Sequence, residues 1–242
     1  MTPTPFHPAL IVVDIQEDFL PPNGSLAVPN GLDIIPPVNA LLELPFRLKV
    51  ATKDNHPPTH ISFCTSHAPP HNVPFSSTYT LVNPRNPEEK IQSRLWPQHC
   101  VQGTKGWEFP ESLEVGRLDE MVLKGSDEKV EQYSGFAGPF RGAEAESSGE
   151  IGDAPDETEL RRILVEGGVT HVYVVGLALD YCVKATALHA VERGFKTYVI
   201  REGTRAVDAA AVEEVYKELE EKGVGVISSD SEEVEWVKQL EK

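Results

Sequence analysis

Short apolar runs alternate with stretches of helical spacing along this chain. Ala9 to Val13, Leu48 to Thr52, Met121 to Leu123, Val172 to Val175, Thr197 to Ile200 and Val224 to Ile227 are apolar runs, most of them rich in β-branched residues. They read as strands buried on both faces. Leu32 to Leu44 has helical spacing, with Pro37 near its start, where a helix tolerates proline. Asp156-Glu157-Thr158-Glu159 resembles a capping box and opens a helix through Ile163 and Leu164 that Gly167-Gly168 stops. From Tyr181, the residues Val183, Ala187, Leu188 and Val191 keep a helical period, with Asp180 as the expected N-cap and Gly194 at the end. Val212, Val215, Tyr216 and Leu219 mark an amphipathic helix, and a short acidic helix follows. Strands alternating with helices predict an α/β fold: a doubly wound, mostly parallel six-stranded sheet with helices on both faces.

Two segments interrupt the alternation. The first, Asn55 to about Arg117, is rich in proline and histidine. A bare loop of that length is unusual inside a compact domain unless it is functional. The second, Arg141 to Pro155, is rich in Gly, Ala, Ser and Glu and reads as a mobile surface loop. No internal repeat or second domain is visible, so residues 1–242 read as one domain.

Composition narrows the partners. The net charge of -16 argues against nucleic acid or an anionic membrane surface. The acid clusters between Glu144 and Glu159 and from Glu213 to Glu241, which solvated helix faces and a loop explain. Cys64, Cys100 and Cys182 make no disulfide framework, which points to a reducing compartment. No apolar run is long enough to span a membrane, and Met1 to Pro8 lacks a signal-peptide core. A cytoplasmic protein is expected.

In doubly wound sheets the site lies beyond the carboxyl ends of the strands. Asp14 ends the first strand, Asp54 the second and Lys124 the third, and Cys182 follows the fourth. Each has an ordinary alternative: Asp and Lys commonly open loops, and a free cysteine is most often a small core residue. Four such side chains on one rim favour a nucleophilic Cys182. In the first turn of a helix its thiol pKa is expected to fall, and the free amides there suit an oxyanion. Lys124 would stabilise the thiolate and Asp14 would carry the proton, a pattern suited to acyl transfer from an amide.

Asp54-x-His56 is a common spacing for two metal ligands, with His60 close behind, and His99 could return from the excursion as another. Carboxylate plus imidazoles suits one divalent ion: zinc, iron or manganese. A surface or hydrogen-bonded loop role is expected for His7, His67, His71, His171 and His189, and a packed thiol for Cys100. Phe19, Trp96 and Tyr133 could form a slot for a flat ring, although aromatics are more often simply core.

Several segments together resemble the nicotinamidase/pyrazinamidase branch of the isochorismatase-like cysteine hydrolases, over about Ala9 to Ile227. They are Val12-Val13-Asp14-Ile15-Gln16-Glu17-Asp18-Phe19, Asp54-Asn55-His56-Pro57-Pro58, Leu95-Trp96-Pro97-Gln98-His99-Cys100-Val101, Lys124-Gly125, Tyr133-Ser134-Gly135-Phe136 and Asp180-Tyr181-Cys182-Val183. The resemblance implies a triad of Asp14, Lys124 and Cys182. It implies metal ligation by Asp54, His56 and His99, joined in some members by a histidine at the position of His60. It also implies a cis peptide at Leu177-Ala178, an oxyanion hole from the Ala178 and Cys182 amides, and ring contacts from Phe19, Trp96 and Tyr133. The implied substrate is the small molecule nicotinamide, the implied setting NAD salvage, and homo-oligomers and nuclear or peroxisomal relatives are compatible with it. Asn55 departs from a frequent aromatic, while Ser126 to Gln132 and Arg141 to Pro155 look like insertions of the fungal type.

Overall fold

The computed structural model describes residues 2–140 and 157–240. The loop expected at 141–155, and Asp156 of the capping box, lie outside the described residues. Six strands form one sheet: β1 (Pro8–Val13), β2 (Leu48–Asp54), β5 (Glu120–Lys124), β6 (His171–Leu177), β7 (Lys196–Arg205) and β8 (Gly225–Ile227). Their order is β5-β2-β1-β6-β7-β8 and every pairing is parallel. The chain winds outward from β1 through β2 to β5, then outward from β6 to β8. The topological switch point therefore lies between β1 and β6, where crevices form in sheets of this kind.

Side-chain alternation along β1 builds both layers of core. Leu10 and Val12 face one side with α1 (Ile35–Leu42) and α5 (Glu232–Lys238). Ala9, Ile11 and Val13 face the other, with α2 (Leu160–Glu166), α3 (Lys184–Glu192) and α4 (Val212–Glu221). Both faces of the central strand are sealed, so the strand is uniformly apolar until Asp14. Each fully buried aliphatic side chain contributes about 1.5–3 kcal/mol. Gly176 in β6 has φ +123, and a Cβ there would lie 2.0 Å from the Val13 carbonyl oxygen. Only glycine lets β1 and β6 meet at the switch point.

The excursion is not a bare loop. β3 (Thr78–Asn83) and β4 (Asn86–Arg94) form an antiparallel hairpin. Tyr79 and Leu81 point inward onto Leu95 and Phe140, while Thr78, Thr80 and Val82 face outward. That alternation is legible in Thr78-Tyr79-Thr80-Leu81-Val82, but Pro84 and Pro87 mask it. Pro84 falls at the turn, where the Asn83 side chain accepts from the Arg85 amide at 2.9 Å, and Pro87 is the second residue of β4. The helix expected from Leu32 begins as a 3₁₀ turn, Gly31–Ile34, before α1. Among the described residues no helix is long and apolar enough to cross a membrane.

Candidate active site

Two segments cross the switch point. Asp14 leaves β1 in the left-handed conformation, φ 47, which turns its carboxylate back over the sheet edge. Across from it, β6 runs into a π-helical turn, Leu179–Val183, closed by the Val183 amide donating to the Ala178 carbonyl at 3.1 Å. Cys182 sits in this turn, ahead of α3. The Leu177–Ala178 peptide is cis.

The structure corrects one local expectation. Asp180 is not an N-cap: its carboxylate accepts the Val207 and Asp208 amides at 2.9 and 3.0 Å, from the loop after β7.

Lys124 joins the strand ends. Its Nζ lies 2.9 Å from Asp14 Oδ2, 2.5 Å from Asp54 Oδ1 and 3.5 Å from Cys182 Sγ, and it donates to the Gln132 carbonyl at 3.2 Å. Asp14, Lys124 and Cys182 are all buried. Thr52 Oγ1 donates to Asp14 Oδ1 at 2.6 Å. Gln16 grips β2 by accepting the Asp54 amide at 2.8 Å and donating to the Asp54 carbonyl at 2.9 Å. The four residues expected on the rim thus meet around one ammonium.

Electrostatics differ from the expected activated thiolate. Burial pushes the Cys182 thiol well up; Lys124 opposes this, and Asp14 and Asp54 add to it. The resting group is a thiol that needs a base. Burial raises Asp14 to about 6 against the pull of Lys124, where a carboxylate can take a proton and return it. Burial disfavours the Lys124 ammonium, but Asp14, Asp54 and Cys182 outweigh it and hold its pKa well above the ordinary value.

The excursion returns to the same rim. Parallel bridges tie His56 to Val101 and Phe63 to Trp96, and the His56 amide donates to the Cys100 carbonyl at 3.2 Å. This brings His99 over the end of β2. His56 Nε2 and His99 Nε2 lie 3.7 and 4.0 Å from Asp54 Oδ2. The opposite nitrogens are already held: His56 Nδ1 by the Gly125 carbonyl and His99 Nδ1 by the Pro97 carbonyl, each at 2.8 Å. Such outer contacts fix the tautomer that leaves Nε2 free for a metal. Gly125, at φ +65, keeps that ring in place, since a Cβ there would lie 2.5 Å from His56 Cε1. Burial, with His56 beside it, pushes His99 down to about 4. Burial raises Asp54, but Lys124 and His56 override it and hold the carboxyl below the usual carboxylate range. An anionic carboxylate and convergent imidazole nitrogens, all buried, fit one divalent cation.

His60 stands beside this trio, its Nδ1 at 2.8 Å from Ser62 Oγ and its Nε2 at 3.2 Å from the Val130 carbonyl. Its nitrogens are turned to protein partners. It belongs to a second group, His56, His60 and Glu131. Glu131 is a buried carboxylate within the spacer Ser126 to Gln132, where no periodic pattern marks it.

The floor of a cleft carries Asp54, His99 and Cys182, and its walls are Phe19, Trp96, Tyr133, Tyr181 and Val207. Trp96 Nε1 donates to the Tyr133 hydroxyl at 3.0 Å and the Trp96 ring meets Tyr181 edge-on at 4.9 Å. The three expected aromatics are therefore assembled here; Tyr181 and Val207 join from positions with no separate signal. A larger hollow of about 640 Å³ lies at the opposite rim, between Phe6, Phe46, Arg47 and Leu240, away from the reactive set.

A buried cysteine beside a lysine and a carboxylate, at the switch point of a parallel sheet, defines an α/β cysteine-hydrolase type of site. The isochorismatase domain model matches residues 8–231, and the chain belongs to that family. It is 38% identical to a nicotinamidase of Schizosaccharomyces pombe, over 92% of this chain and 94% of that protein. Among solved structures it resembles the yeast nicotinamidase Pnc1p bound to the inhibitor nicotinaldehyde, with a TM-score of 0.82, 34% identity and coverage of 91% of this chain and 99% of that one. It also resembles a Pyrococcus horikoshii pyrazinamidase in complex with zinc, with a TM-score of 0.64, 33% identity and coverage of 92% and 99%.

Proposed function

We propose that this protein is a nicotinamidase, a cysteine amidohydrolase that converts nicotinamide to nicotinate and ammonia and also accepts pyrazinamide. One observation carries the reading: Cys182, with Lys124 at 3.5 Å and Asp14 beyond it, opens into an aromatic cleft lined also by Asp54 and His99, two members of the Asp54–His56–His99 cluster. The names of the relatives support the same substrate.

Phe19, Trp96 and Tyr133 enclose the flat ring and keep water from its faces. Asp54, His56 and His99 would hold a divalent ion, zinc by analogy with the Pyrococcus relative, which would supply Lewis acidity at the ring end of the cleft. Asp14 takes the proton from the Cys182 thiol as sulfur attacks the carboxamide carbon. The Ala178 and Cys182 amides hold the oxygen that becomes negative. Asp14 returns the proton to nitrogen, ammonia leaves and a thioester remains. Water then attacks the thioester carbon, giving its proton to Asp14. The intermediate expels the sulfur, which recovers the proton as nicotinate leaves. Lys124 remains an ammonium throughout, holding Asp14 and offsetting charge on sulfur.

The wider setting follows the same reading. The product acid feeds salvage toward NAD. The chain acts as one isochorismatase-like unit, able to assemble into a homo-oligomer, in the cytoplasm, where its three free thiols persist. The deciding experiment is ammonia release from nicotinamide by purified protein, before and after chelation and zinc add-back. Release that is lost and restored supports the assignment; no release from zinc-loaded protein overturns it.

A further inference from the structure

We infer that Asp180 is a positioning residue for the ring cleft: its carboxylate clamps the loop after β7 and so places the Val207 wall against the Cys182 turn. The kinetic part of this inference rests on the nicotinamidase reading; the geometric part does not. Asp180 Oδ1 accepts the Val207 amide at 2.9 Å and Oδ2 the Asp208 amide at 3.0 Å. Two consecutive loop amides on one carboxylate form a charge-assisted fork that fixes the loop in orientation as well as distance. The loop leaves β7 at Arg205 and enters the 3₁₀ turn Ala209–Ala211, where the Asp208 carboxylate accepts the Ala210 amide at 3.0 Å. Val207 lines the cleft with Tyr181 and Cys182.

Asp180 and Cys182 share the π-helical turn Leu179–Val183. The far wall is therefore indexed to the same rigid turn that carries the nucleophile. The carboxylates acting on the thiol are Asp14 and Asp54, so Asp180 serves by holding the loop and not by moving a proton.

The test is a double-mutant cycle with an exchange measurement. In Asp180→Asn, hydrogen exchange at the Val207 and Asp208 amides is expected to rise about tenfold or more, because an amide group cannot accept from both. KM for nicotinamide is expected to rise about tenfold, with kcat within about threefold, the scale of one lost pocket contact. The acid limb of the pH profile stays in place. Asp180→Glu keeps the charge but overshoots by a methylene, and is expected to behave likewise. Val207→Ala alone raises KM, and adding Asp180→Asn to it costs less than about twofold more, because the wall is already gone. Unchanged amide exchange, fully multiplicative effects of the two substitutions, or a displaced acid limb would each overturn the clamp. Wild-type protein that releases no ammonia would sink the nicotinamidase reading alone, and the exchange data would still decide the clamp.

Discussion

Asp14 and Asp54 close neighbouring strands and face one ammonium, at 2.9 and 2.5 Å from Lys124 Nζ. Their surroundings drive them apart. Asp14 has Lys124 and one hydroxyl against full burial and a neighbouring carboxylate, and it rises to about 6. Asp54 has Lys124, His56 and His99, and it is held below the usual carboxylate range. Two like charges sharing one cation cannot be equally ionised. The side of the rim that borders the imidazoles keeps a permanent anion suited to a metal. The side that borders the thiol keeps a carboxylate able to cycle its proton. On the proposed mechanism one residue type at one kind of position serves two chemical ends, and neighbouring side chains make the division.

Substitutions at the thiol side test this division most severely. Cys182→Ala is expected to lower turnover by about 10⁴-fold or more, with ring binding retained in calorimetry; full activity would refute the thioester route. Asp14→Asn is expected to cost about 10²–10⁴-fold in kcat, the usual worth of a general acid–base, with metal content unchanged by elemental analysis. Asp54→Asn is the mirror experiment. It should lose bound metal, and a variant that kept full metal stoichiometry would abolish the contrast between the two carboxylates.

The pH profile sharpens the same comparison. Asp14 must be ionised to accept the thiol proton, so kcat/KM is expected to fall about tenfold per unit below about pH 6. Stability has the opposite sign at this residue. Its folded value lies above the ordinary 3.8, so its contribution is fully present below about pH 4 and is lost as pH rises through about 6. Asp54, shifted the other way, contributes stability above the usual carboxylate range that is lost on acidification. Denaturant titrations of Asp14→Asn and Asp54→Asn against pH separate the two signs.

Smaller effects probe what sets Asp14 apart. Thr52→Val removes the 2.6 Å hydrogen bond to Asp14 Oδ1 and should raise the acid limb by about one to two pH units, given about 1.5–3 kcal/mol for a hydrogen bond to a charged group. An unmoved limb would assign the titration to another group. His60→Ala is expected to have the least effect on metal content, because both ring nitrogens are turned to Ser62 and Val130.

The hydrophobic alternation made most of the sheet legible. A run such as Ala9 to Val13 has few alternatives to a strand sealed on both faces, and the polar residue ending it falls on the rim. Asp14, Asp54, Lys124 and Cys182 were visible for that reason. The β3–β4 hairpin was hidden because its prolines read as loop, although Pro84 stands at its turn and Pro87 at the start of β4. Glu131 was hidden inside a spacer with no periodic pattern. Asp180 looked like an N-cap because local rules consider only the helix that follows; its partners lie 27 and 28 residues away.

The sequence by itself determined which six strands form the central sheet, that the ends of the first three and the turn after the fourth carry two carboxylates, a lysine and a cysteine, and which family the chain resembles. These follow from local periodicity and from side-chain type, both written along the chain. The tertiary structure alone decided that His99 comes over Asp54, that Tyr181 and Val207 wall the cleft, and that burial pushes the Cys182 thiol up. The reason is physical. A pKa depends on burial and on charges a few ångströms away, and those neighbours are contributed by β1, β2, β5 and the turn after β6, segments that only folding brings together.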